Sequence, residues 1–76
     1  MRVYINGAGV EVFSGARVVD GLNAYSHLVA RDVQAGILSV INAEGHRVYA
    51  DGRLQEGDRL VLVDPARDES EPAEEI

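Results

Sequence analysis

The sequence predicts an α+β domain in which a four- to five-stranded mixed sheet carries one main helix on one face. The prediction rests on three features. Turn signals at Asn6-Gly7, Asp51-Gly52 and Glu56-Gly57-Asp58 separate short runs of alternating or β-branched residues, as in strands joined by tight turns. From Val18 the apolar spacing changes from two residues to three and four, the periodicity of an amphipathic helix covering a sheet. Arg59-Leu60-Val61-Leu62-Val63 is the most strongly β-like run, and Pro65, which has no N–H to offer a ladder, ends it.

Taken in order, residues 2–6 and 10–13 form the expected hairpin, joined by a loop of about four residues that opens with Asn6-Gly7. Period two places Val3, Ile5, Val10 and Val12 toward the core, with Tyr4, Glu11 and Phe13 on the other face. Ser14-Gly15-Ala16 turns the chain into the helix, whose apolar stripe is Val18, Val19, Leu22, Tyr25 and Val29. Gly21 costs a helix interior about 1 kcal/mol relative to Ala, and no strong N-cap residue precedes Val18. That glycine reads either as a close approach to a strand or as lost helicity. Residues 30–36 also read two ways: Asp32, Gln34 and Gly36 suggest a loop, whereas Ala30 and Ala35 permit a helical extension. Residues 37–41 are apolar on both faces and fit a central strand. Residues 46–50 form a short alternating strand, Leu54 is an isolated apolar anchor in a polar loop, and residues 59–63 form the last strand.

Seventy-six residues suffice for one core, and a chain of this size buries only about 60% of its unfolded surface. A deep catalytic pocket is hard to house at that size. Hydrophobic residues make up 46%, as in globular chains, so the body is expected to fold. The sequence has no cysteine, which removes disulfides, thiolate metal sites, iron–sulfur clusters and cysteine nucleophiles. Arg2 and a strand-like run follow Met1 where a signal peptide would place its apolar region, and no run approaches the roughly 18 apolar residues of a membrane span. A soluble cytoplasmic protein is expected. The net charge of −6 is concentrated at one end: residues 64–76 hold six acids and a single arginine, while residues 1–63 hold seven acids and six arginines. Residues 64–76 offer too little apolar surface to offset their ordering entropy and are expected to form a disordered acidic tail. The acidic total disfavours nucleic acid as a partner.

Catalytic patterns are absent. His27 and His46 match no metal-ligand spacing with Asp32, Glu44 or Asp51. Ser14, Ser26 and Ser39 have no base placed to activate them, and Gly7-Ala8-Gly9 lacks the third glycine and following helix of a dinucleotide fingerprint. Neither enzyme activity nor a cofactor is expected.

The order hairpin, helix, strand, short strand, strand resembles the β-grasp arrangement of the ubiquitin superfamily. Within it the chain is most similar to the sulfur-carrier proteins of thiamine and molybdopterin biosynthesis. Val3-Tyr4-Ile5-Asn6-Gly7 looks like their first strand, and Gly15-Ala16-Arg17-Val18-Val19-Asp20 looks like their helix entry. Val40-Ile41-Asn42-Ala43-Glu44-Gly45 and Leu54-Gln55-Glu56-Gly57-Asp58-Arg59-Leu60 are similar to their late pattern. The TGS domain, a β-grasp module of nucleotide-binding and tRNA-related proteins, shares that late pattern, and soluble-ligand-binding β-grasp domains share the Asp-Gly turns. The resemblance covers residues 1–63 and implies a β-grasp domain there. Sulfur carriage in that family depends on a C-terminal Gly-Gly, whereas the last glycine here is Gly57. The expectation is therefore a non-catalytic protein-interaction module with another protein as its partner. The alternatives are a divergent sulfur carrier and a TGS-like ligand- or RNA-binding domain. Ubiquitin-like domains commonly bind through the sheet face away from the helix, which here is expected to present Tyr4, Arg47, Tyr49, Arg59 and Val61. Tyrosine and arginine are enriched at binding hot spots.

Overall fold

The computed structural model describes residues 1–64. The acidic tail expected over residues 64–76 lies, apart from Asp64, outside the described residues. Five strands and two helices follow in the order β1 (Arg2–Ile5), β2 (Ala8–Glu11), α1 (Val18–Tyr25), α2 (His27–Gln34), β3 (Ser39–Ile41), β4 (Arg47–Val48) and β5 (Arg59–Val63). The strands form one mixed sheet in the order β2-β1-β5-β3-β4, so the last strand in sequence is the middle one in space. It runs parallel to β1 and antiparallel to β3.

The hairpin turn is tighter than the four-residue loop expected from sequence. Asn6 and Gly7 have φ of 52° and 85°, and Ile5 pairs directly with Ala8. Positive φ at both central residues is the requirement of a two-residue turn that matches strand twist. Asn6 also ties this turn to the middle strand, its Oδ1 accepting from the Leu62 N–H at 3.0 Å.

A single main helix was expected, and the structure has two. Ser26 interrupts them in an extended conformation, with φ −165° and ψ 121°. Its N–H closes α1 on the Leu22 carbonyl, while its Oγ accepts from the Val29 N–H at 3.3 Å and caps α2. The serine thus offers the backbone an alternative to continuing the helix. Helix α2 takes residues 30–34 out of the ambiguous segment. It ends in a Schellman motif: Gly36 has φ 84°, its N–H reaches the Val33 carbonyl, and the Ile37 N–H reaches the Asp32 carbonyl at 2.8 Å. That motif shortens the expected strand 37–41. The N–H groups of Ile37 and Leu38 both point to Asp32, leaving only Ser39–Ile41 for the ladder and Ile37 58% exposed. Strand 46–50 likewise shrinks to Arg47–Val48, because the Tyr49 carbonyl accepts from Gly52 N–H in a turn and the Ala50 carbonyl accepts from Val19 N–H at the start of α1.

The start of α1 is held from outside. The N–H groups of Val18 and Val19 donate to the Gly52 and Ala50 carbonyls, and the Asp20 carboxylate accepts from the Arg17 N–H at 2.8 Å. These partners satisfy donors that a helix N-terminus leaves free.

The core lies between the helices and one sheet face. It comprises Val3 and Ile5 of β1, Val18 and Leu22 of α1, Ala30 of α2, Val40 of β3 and Leu60 of β5, closed by Ala16 and Leu54. Val10, Val12, Val48 and Leu62 pack against it half-buried. Gly21 is there for close approach: a Cβ at that position would stand 3.0 Å from Leu54 Cδ1 and under 4 Å from Val3 and Ile5. Among the described residues no helix is long and apolar enough to cross a membrane.

Candidate functional site

The second face of the sheet carries no helix. Pairing register determines what stands on it. Tyr4 of β1 lies opposite Gly9 of β2 on one side and Arg59 of β5 on the other. Val61 of β5 lies opposite Ile41 of β3, which in turn lies opposite Arg47 of β4. Directly paired residues point to the same side of a sheet, so Tyr4, Arg59, Val61, Ile41 and Arg47 form one surface. Tyr49, just past β4, joins it.

Within this surface the side chains form two stacks. The Arg59 guanidinium carbon sits 4.7 Å from the centroid of the Tyr4 ring, and that of Arg47 sits 5.5 Å from the centroid of the Tyr49 ring. Both distances fall within the roughly 6 Å range of cation–π attraction. Val61 and Ile41 lie between the stacks and supply an apolar strip. Val61 is 43% and Tyr49 63% exposed. From β1 to β4 the surface spans three interstrand spacings, about 14 Å. The Tyr4 ring and the Arg2 side chain both lie over Gly9, 3.4 Å from where a Cβ would stand.

All five residues expected from the sequence fall on this face, and the structure draws them into two pairs and a strip. Ile41 was missed. Its apolar neighbours in sequence gave no sign of which side it would take, and only its pairing with Val61 and Arg47 resolves this. Arg2 was also missed, although Glu11 was expected on this side of the hairpin. They are paired across the hairpin and form an exposed salt bridge of 2.8 Å beside Tyr4. The Glu11 hydrogen bond, and then its charge, raise the Arg2 guanidinium above its ordinary value.

Comparison with protein-family models, curated proteins and solved structures returned no match.

His27 is exposed, with its Nδ1 3.1 Å from Asn23 Oδ1, and the described residues contain no group of three His, Asp or Glu arranged to hold a metal ion. An open depression of about 390 Å³ lies between the 42–44 and 52–59 loops. Two polar side chains at its rim hold its own loops: Asp58 Oδ2 accepts from the Gln55 N–H at 2.8 Å, and Asn42 Oδ1 accepts from the Glu44 and His46 N–H groups, while Arg59 at the same rim is the residue over the Tyr4 ring. No nucleophile and base are paired there.

Proposed function

We propose that the chain is a non-catalytic protein-interaction module of the β-grasp class that binds its partner through the open face of the sheet. The observation that carries this reading is the pair of arginine–tyrosine stacks flanking Val61 and Ile41. Attraction to the rings restrains the guanidinium groups, lowering the entropy lost when a partner immobilises them. The apolar strip offers area to bury, and the residue types are those of interface hot spots. The element order of hairpin, helical layer and three further strands, on a mixed sheet, supports the β-grasp assignment.

A double variant Tyr4→Ala/Tyr49→Ala tests the reading. Used as bait beside the unaltered protein, it should lose a partner that the unaltered chain captures, with an unchanged circular dichroism spectrum. Equal capture by both baits would remove the sheet face from consideration. Capture of RNA whose affinity falls steeply with salt would favour the TGS-like alternative. Exchange of one oxygen for sulfur, seen by mass after incubation with an adenylating enzyme, ATP and a sulfur donor, would favour the carrier alternative.

A further inference from the structure

We propose that β2 is a docking edge for a second copy of this chain, the two β2 strands pairing antiparallel about a twofold axis at Val10. The pairing does not rest on the interaction reading above, which uses the face of the sheet and not its edge.

The two edges of the sheet differ. At one, β4 is two residues long, and the chain beyond it turns away with its Tyr49 and Ala50 carbonyls held by Gly52 and Val19. Natural sheets blunt their edges by such shortness, or by lysine, proline or a bulge. At the other edge, residues 8–13 contain no lysine or proline, and the register of β2 on β1 runs without a bulge. The charge it carries, on Glu11, is matched by Arg2. Met1 and Val12 exchange two backbone hydrogen bonds, of 2.7 and 2.8 Å. Antiparallel ladders alternate bonded and non-bonded pairs, so Val3–Val10 and Ile5–Ala8 are the next bonded pairs along the hairpin. The N–H and C=O groups of Gly9 and Glu11 therefore point away from β1. Among the described residues they meet no backbone partner.

This edge is complementary to itself. A twofold at Val10 sets each Gly9 opposite Glu11 of the second copy, so that all the outward groups of both residues enter reciprocal hydrogen bonds. Glu11 needs space there, and Gly9 has no side chain to fill it. Arg2 already lies over Gly9, its Nη1 3.4 Å from where a Cβ would stand, while its Nε serves Glu11 of its own chain at 2.8 Å. A guanidinium donates from more than one edge, which leaves its Nη groups for Glu11 of the second copy. Bonded pairs stand about 5.5 Å apart at Cα, within reach of that contact. On the helix side the same register sets Val10 against Val10 and Ala8 against Val12, covering apolar side chains that are half-buried or exposed in the single chain. Other registers do less. A twofold at Glu11 opposes like charges, and one at Gly9 sets Glu11 against Gly7, which lies in the turn with φ 85°. A foreign strand would have to bring its own acid to the place that Glu11 fills here.

An interface of a few ladder bonds is far below standard size, so a dissociation constant of about 0.1 mM is expected. The full chain is the material for the test. At about 0.15 M ionic strength the screening length of about 8 Å limits repulsion between chains of net charge −6. In sedimentation equilibrium the 8.2 kDa chain should approach twice its mass at about 1 mM. Amide exchange at Gly9 and Glu11 should slow as concentration rises, and that at Arg47, on the other edge, should not change. Exchanging charges tests the register. Glu11→Arg alone and Arg2→Glu alone should each weaken self-association several-fold, because each sets like charges across the axis. An equimolar mixture of these two folded variants should associate as well as the unaltered chain, since every pair across the axis is then opposite in sign. A chain that keeps its single mass at about 1 mM overturns the proposal. So does a dimer whose Gly9 and Glu11 amides stay unprotected, or a mixture that associates no better than its components. The two readings fail separately: association without tyrosine-dependent capture supports the edge alone, and capture by a chain that stays monomeric supports the face alone.

Discussion

The two faces of this sheet are built from alternate residues of the same strands, yet they are held in different ways. On the helix side Val3, Ile5, Val40 and Leu60 are at most 3% exposed and touch α1, α2 and the Leu54 loop. On the open side Tyr4, Arg59, Val61, Ile41 and Arg47 touch mainly one another. The difference teaches that burial and exposure alternate here at single-residue spacing. A side chain on the first face is fixed by its surroundings. One on the second is held by fewer neighbours.

The strongest way to break this comparison is to remove volume from the helix side. Ile5→Ala should destabilise by about 2–5 kcal/mol, read as a lower urea midpoint, because the fully buried site has little room to collapse. For so small a domain that is a large part of its stability. A loss under about 1 kcal/mol would mean that the two faces do not differ. Overfilling the same layer comes next. Gly21→Val should cost about 1–3 kcal/mol, since even a Cβ there meets Leu54 at 3.0 Å. Thermal unfolding would show it. Ser26→Ala should cost about 1 kcal/mol by removing the cap of α2, with hydrogen exchange rising first at Val29. On the open side, Val61→Thr keeps β-branching at an exposed position and should change stability by less than about 0.5 kcal/mol. A cost above that by denaturant titration would place Val61 in the core's energetics.

Much of the architecture was legible because it was written in local chemistry. Asn6-Gly7 marked the hairpin, Gly57-Asp58 marked the turn into β5, and the bounds of β5 agree with those expected. Residues that carry the resemblance to the sulfur carriers prove to hold turns and caps. Asn6 bonds Leu62, Asp20 bonds the Arg17 N–H, and Asp58 bonds the Gln55 N–H. They therefore argue about backbone geometry and leave activity unaddressed. The candidate face was legible to the extent that period-two alternation separates Tyr4, Arg59 and Val61 from Ile5, Leu60 and Leu62. Ile41 was not, because a run apolar on both faces has no alternation to read.

Alternation and turn chemistry, both properties of a few adjacent residues, were enough to locate the strands roughly and to mark five members of the open surface. Tertiary structure decided what depends on distant partners. It placed β5 between β1 and β3, drew the Ala50 and Gly52 carbonyls to the start of α1 and so cut β4 short, and set Ile41 between Val61 and Arg47. The physical reason is that a backbone donor or acceptor is satisfied by whichever group the fold brings within reach. The split at Ser26 lies between these cases. Its cap uses Val29, only three residues on, but the helix could have run through it, and the choice was made where both short helices pack their apolar sides on the same sheet.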